Sequence, residues 1–126
     1  MKRIFNSADF FQPTDDEPIR SVITESKEAT VVAWYIKPGQ EIYAHIHPHG
    51  QDTWTILRGK GEYYLDEAGT KKSIVAGDVV IAHTGCLHGV FNNGDEPLIF
   101  ISVVSPSDAG YQLVSLDNTV ENLAIE

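Results

Sequence analysis

Cysteine is nearly missing from this chain. Its 126 residues include one, Cys86. That excludes an intramolecular disulfide and any Cys-x-x-Cys zinc site. A lone thiol suits a reducing compartment. Basic residues are scarce as well: 9 Lys and Arg stand against 18 Asp and Glu, a formal net charge of −9. A surface of that sign repels phosphate backbones and anionic lipid, so neither nucleic acid nor membrane is expected as a partner. No apolar run approaches the length of a membrane span. Lys2 and Arg3 are followed by Asn6, Ser7 and Asp9, which interrupt any signal-peptide core. These exclusions predict a soluble protein of the cytoplasm. Helical periodicity is absent over any useful length.

Short β-branched and aromatic runs broken by turn residues take its place. Residues 1–18 form an irregular lead-in rich in Pro and acidic residues. Strands are then predicted over Ile19–Thr24, Thr30–Ile36, Glu41–His47, Asp52–Leu57, Glu62–Leu65, Lys72–Val75, Val79–His83, His88–Phe91 and Leu98–Val104. Pro38-Gly39, Gly59, Gly69, Gly77-Asp78, Gly85 and Asn92-Asn93-Gly94 separate them. Gly39, Gly59, Gly77 and Gly85 are read as turn positions with positive φ. Many short strands at this spacing indicate an all-β sandwich or barrel, in one domain over residues 1–126. The tail 117–126 is read as a short helix capped by Asp117 or Asn118, or as disorder.

The chemistry concentrates in a few side chains. His45 and His47 form a His-x-His, and residues two apart on a strand share a face. Asp52 follows closely, and His88 lies far downstream after Gly85-Cys86-Leu87. Imidazoles with a carboxylate suit first-row divalent metals. By the same parity Tyr43 is expected to point inward beside His45 and His47, and Trp54 and Val90 to face the interior. If residue 52 faces in, so do Trp54 and Ile56. If Gln51 faces in instead, Thr53 and Thr55 enter the core and Trp54 leaves it. The first arrangement buries more apolar surface, which selects Asp52 over its alternative Gln51.

Two spaced motifs carry a family resemblance. The stretch Gly39-Gln-Glu-Ile-Tyr-Ala-His45-Ile-His47, then Asp52, then Gly59, resembles the first motif of the cupin superfamily: Gly, five residues, His-x-His, three or four residues, an acidic residue, six residues, Gly. Gly77 through Asn92, with Gly85, His88 and Asn92 in register, is similar to the second motif. The two span residues 39–92. His83 stands where the family usually has Pro, and Asp52 where it more often has Glu. The resemblance implies a cupin-type β-barrel, also called a double-stranded β-helix or jelly roll. It further implies one divalent transition metal (Fe, Mn, Ni, Cu or Zn) held by His45, His47, Asp52 and His88. On this reading the protein is a metal-dependent enzyme acting on a small oxygen-rich molecule, of dioxygenase type before isomerase or lyase, or else a non-catalytic binding or sensing module. His83 and Tyr43 are the candidates for proton transfer. His49 is read as a solvated loop residue and Cys86 as a packed loop thiol. Asn92 is read as a tie at the barrel rim. A homodimer is expected, with Thr30–Ile36 or the N-terminal strand as the pairing edge.

Overall fold

The computed structural model describes residues 1–116, and the tail expectation for 117–126 lies outside the described residues. A short 3₁₀ turn, Ser7–Asp9, is capped by the Asn6 side chain, which accepts from the Ala8 N–H at 3.0 Å. The described strands are β1 (Ser21–Glu25), β2 (Thr30–Ile36), β3 (Glu41–Ile46), β4 (Gln51–Arg58), β5 (Lys60–Tyr64), β6 (Lys71–Val75), β7 (Val79–Ala82), β8 (His88–Phe91), β9 (Leu98–Ser105) and β10 (Gln112–Leu113). They form two five-stranded sheets, ordered β1-β2-β9-β4-β7 and β10-β3-β8-β5-β6. Every pairing is antiparallel. The all-β double-stranded β-helix expected from the sequence is the architecture observed.

Alternation builds the interior. On β4, Asp52, Trp54 and Ile56 are buried while Gln51 and Thr55 are exposed. On β9, Leu98, Phe100 and Ser102 are buried. Trp54 stacks on Phe100 with ring centroids 4.3 Å apart. Ile36, Ile56, Tyr63, Ile74, Val90 and Leu98 complete this core between the sheets. Along β4 and β9 the inward row therefore runs from Ile56, Leu98 and Phe100 to Asp52 and Ser102. One end of the sandwich is packed with hydrocarbon, and the other is given polar side chains that need partners. Tyr64, whose facing the sequence leaves open, points away from that core. It packs with Ala44 and Leu87 on the outer face of the second sheet, where Val114 and Leu116 join it.

Two expectations are corrected by the topology. Thr30–Ile36 has the predicted bounds but is no edge strand, because β2 pairs with β1 on one side and β9 on the other. The edges of that sheet are β1 and β7. Strand β10 has no counterpart in the sequence reading. It adds to β3 through Gln112 and Leu113.

The turns explain themselves in part through Gly59 and Asn92. Gly59 has φ +82°, and a Cβ there would sit 2.2 Å from the Pro97 carbonyl oxygen. Asn92 is fully buried. Its amide donates to the carbonyls of Ile36 and Glu96, each at 2.9 Å, and its carbonyl accepts from the Gly94 N–H at 2.9 Å. One side chain thus ties the end of β2 to the β8–β9 turn. We predict that Asn92→Ala destabilises the fold by about 3 kcal/mol in urea unfolding, because it strands buried carbonyls. Gly59→Ala is expected to cost more than Gly39→Ala. Gly39 shares a positive φ but has nothing within 4 Å of the added carbon. Equal midpoints for the two glycine variants would contradict this reading.

Candidate metal centre

The polar end of the sandwich gathers four side chains from three strands and the start of a turn. His45 lies on β3 and His47 just beyond its end, Asp52 on β4, and His88 at the start of β8. His45 and His88 are direct cross-strand partners in the second sheet. Asp52 comes from the opposite sheet, where it pairs with Val104 and Ala82. One ligand-type atom from each of the four lies within 4.8 Å of all the others. The rings of His45 and His88 are 4.2 Å apart between centroids, and those of His45 and His47 are 5.0 Å apart. His45, Asp52 and His88 are buried and His47 nearly so. Gln51, the alternative to Asp52, is exposed and stands outside the cluster.

Each imidazole is oriented by a backbone carbonyl. Nδ1 of His45 donates to Tyr43 at 2.7 Å, Nδ1 of His47 to Gly110 at 2.7 Å, and Nδ1 of His88 to Cys86 at 3.2 Å. A carbonyl only accepts, so Nδ1 must carry the proton in all three rings. In the neutral rings Nε2 carries a lone pair, and a ring that donates from Nε2 to Asp52 is protonated on both nitrogens and cationic. Nε2 of His88 and of His47 stand 3.0 and 3.3 Å from the same Asp52 oxygen. Two lone pairs facing one carboxylate oxygen need a positive charge among them, a proton or a cation. Ser102 donates its hydroxyl to the other Asp52 oxygen at 2.7 Å. Fixed tautomers and an anchored carboxylate are what a nitrogen–oxygen site for a transition ion requires, and the donor set fits one.

The titration behaviour follows from burial and neighbours. Burial, then the neighbouring His88, hold the His45 pKa down at about 4. For His47 burial also disfavours the charge, but the hydrogen bonds to Asp52 and to the Gly110 carbonyl outweigh it, and the pKa is raised. For Asp52 burial opposes ionisation. The hydrogen bonds from His47, His88 and Ser102 overcome it and hold the carboxyl well below the usual carboxylate range.

The cluster opens onto a cavity of about 560 Å³ between the sheets. Its walls include Val32, Trp34 and Trp54 from the first sheet, Ile42 from the second, and Ala109 and Tyr111 from the segment before β10. Tyr111 stacks on His45 at 4.8 Å between centroids. Sequence reasoning missed Ser102, Gly110 and Tyr111. The inward parity of β9 offers a signal for Ser102, whereas Gly110 and Tyr111 lie in a segment without a pattern.

The two residues read as proton carriers lie elsewhere. Tyr43 is 54% exposed. A register shift between Ile42 and His45 inserts an extra residue into β3, so Ile42 and His45 both face in. A bulge reverses the parity upstream of it, and Tyr43 is turned out to solvent. Only its carbonyl serves the site. His83 is likewise exposed and does not line the cavity. Strand β7 stops at Ala82, which takes the inward position opposite Asp52. The carbonyl of His83 accepts from the Cys86 N–H at 2.8 Å and closes the turn. His83 therefore contributes its backbone to the turn, and its side chain stands in solvent. Cys86 is exposed rather than packed, and His49 is exposed as expected.

With this geometry in place, comparison decides the family. The profile of the cupin domain matches residues 32–104, more than half of the chain. The chain belongs to the cupin family. The crystal structure of an uncharacterized conserved protein with a double-stranded β-helix domain from Klebsiella pneumoniae superposes with a TM-score of 0.87. It shares 47% identity, over 91% of this chain and 99% of that one. An RmlC-like cupin from Desulfovibrio desulfuricans superposes with a TM-score of 0.74 at 23% identity, over 85% of this chain and 99% of that one, and shows the fold alone. An uncharacterized protein of Aquifex aeolicus is 34% identical over 73 residues, which is 58% of this chain and 58% of that protein. A germin-like protein of Oryza sativa is 29% identical over 85 residues, 64% of this chain and 37% of that one. The matched segment thus spans less than two thirds of either curated relative.

The pKa directions set a test on metal-depleted protein. His45 is depressed below its unfolded value, so it withdraws stability as pH falls from about 6.5 to about 4. His47 is raised, so its contribution is full below its unfolded pKa and is lost as pH rises through the folded one. Unfolding free energy of the chelator-treated cupin should therefore peak near pH 6.5. His45→Gln should flatten the acid side, and His47→Gln the alkaline side. A profile unchanged by both substitutions would contradict the assignment.

Proposed function

We propose that this cupin binds one divalent transition metal through His45, His47, Asp52 and His88, and is an enzyme acting on a small oxygen-rich molecule in the adjoining cavity. The observation that carries the proposal is the convergence of three tautomer-locked Nε2 atoms and one anchored carboxylate at a cavity wall. Four protein donors leave positions open on an octahedral ion, as catalysis needs. A bound metal supplies Lewis-acid polarisation of a substrate oxygen and, in a dioxygenase, redox chemistry. The chain's own residues orient the donors and wall the cavity with Trp34, Trp54 and Tyr111. Dioxygenase-type chemistry is placed ahead of isomerase or lyase chemistry.

A second reading is a non-catalytic module that binds or senses a small molecule through the same centre. One observation favours it: neither Tyr43 nor His83 reaches the cavity, so the proton carriers read from the sequence are not available there. A homodimer in the cytoplasm belongs to both readings. The edge strand β1 offers a pairing surface.

Elemental analysis of protein purified without added metal tests the ligand set. About one equivalent per chain is expected in the wild type, and His45→Ala and His88→Ala should fall well below it. Equal content in all three proteins would reject the assignment. Metal at one hundred times its dissociation constant should add about 2.7 kcal/mol to the stability of the wild type and little to the variants. Oxygen uptake with a panel of oxygen-rich organic substrates separates the readings: turnover supports the enzyme, and ligand-induced stabilisation without turnover supports the sensor. Tyr43→Phe and His83→Gln should leave metal content and turnover unchanged, given their positions outside the cavity.

A further inference from the structure

Arg20 is the one Lys or Arg among the residues lining the cavity. It immediately precedes β1 and is exposed, which places it at the mouth. It makes no ion pair or hydrogen bond among the described residues. Two other cations are engaged in short pairs, Lys37 with Asp15 at 2.6 Å and Arg58 with Glu96 at 3.3 Å. Arg20 lines the same cavity as His45, His47 and Asp52, so its guanidinium can act on an occupant of that cavity. The walls of the cavity that Arg20 shares with the cluster include Trp34, Trp54, Ile42 and Tyr111.

We propose that Arg20 selects the ligand class of this site: a small organic acid with a flat apolar body, its carboxylate held by the Arg20 guanidinium and its other oxygen directed to the cluster. This rests on the metal-site reading for the second contact, but not for the first. Three features support it. A planar guanidinium donates two parallel hydrogen bonds to a carboxylate, which an uncharged carbonyl cannot match. A chain of net charge −9 repels free organic acids, so a cationic mouth beside the cavity is needed to admit one. Aromatic walls take a flat ring better than a flexible chain.

The chain has two tryptophans, Trp34 and Trp54, and both line the cavity. Intrinsic fluorescence therefore reports its occupancy directly. The probes are 3-hydroxybenzoate and 3-hydroxybenzamide, titrated into metal-loaded and chelator-treated protein. Wild type should bind the acid at least about tenfold more tightly than the amide, the scale of one charge-assisted contact. Arg20→Gln should weaken the acid about tenfold, leave the amide unchanged, and leave metal content and thermal midpoint as in wild type. Arg20→Lys should fall between. The preference should weaken with added salt, because Arg20 is exposed. An Arg20→Gln protein that keeps the acid preference overturns the proposal and assigns the carboxylate to the cluster. No binding of either probe at millimolar concentration, or equal weakening of both, overturns it as well. If wild type holds no metal yet the acid preference persists and is lost in Arg20→Gln, the metal reading fails and the Arg20 assignment stands. If metal is held and Arg20→Gln changes nothing, the reverse applies.

Discussion

The carboxylate of Asp52 is the constraint on which this site depends. It is 4% exposed and belongs to a sheet whose inner face is otherwise hydrocarbon over most of its length. A buried, unpaired carboxylate is untenable in such surroundings, and the group would take up a proton or disrupt the packing. Here compensation comes from both sides: His47 and His88, from the side of the opposite sheet, face one oxygen, and Ser102 on the neighbouring strand β9 donates to the other. The two sheets are thus joined by hydrophobic contact at one end and by a charge that requires partners at the other. A cation among the Nε2 atoms satisfies the same requirement more completely than one shared proton, because it can be met by every donor at once.

Orientation of the imidazoles comes from outside the cluster. Three carbonyls, from Tyr43, Gly110 and Cys86, hold the three Nδ1 protons, and they belong to the β3 bulge, the segment before β10 and the turn before β8. None of these is a regular strand position. Ladder carbonyls in a sheet are already committed to their neighbours, whereas bulges and turns leave carbonyls free to accept. The irregular parts of the backbone therefore do the aligning, and the regular parts do the carrying. Segment 105–111 has a second task. It brings Ser107, Ala109 and Tyr111 to the cavity wall, and the Ala109 carbonyl accepts from the His49 N–H at 2.8 Å.

Much of this is legible in the sequence. Period-two alternation marks β4 and β9, and Gly or Pro punctuation bounds most strands to within a residue or two. Parity arguments place Trp54 and Val90 inside and prefer Asp52 to Gln51, because one apolar choice on each strand outweighs its rival. Asn92, predicted at the rim, ties three backbone groups there. Three of the failures share one cause. Tyr43, the edge status of β2, and β10 all depend on registry between segments distant in sequence. Tyr43 obeys simple parity until an extra residue is inserted between Ile42 and His45, and nothing local in Ile42-Tyr43-Ala44 announces a bulge. Strand β10 has two residues, too few for any period, and exists because β3 offers it an open edge. Arg20 sits in a lead-in whose composition signals only irregularity.

The bulge in β3 links these observations. Without it, strict alternation would place Tyr43 on the inner face beside His45, and its ring would fill space that now belongs to the cavity. With it, Ile42 contributes a smaller wall, the Tyr43 carbonyl is released to fix His45, and Ala44 turns outward to pack against Tyr64 and Leu87. The position vacated near His45 is taken by Tyr111, stacked on the imidazole but 60% exposed. An aromatic ring on a loop can shift when a ligand enters, whereas one on a strand between two neighbours cannot. A single inserted residue therefore separates the rigid task of aligning the imidazoles from the adaptable task of covering them.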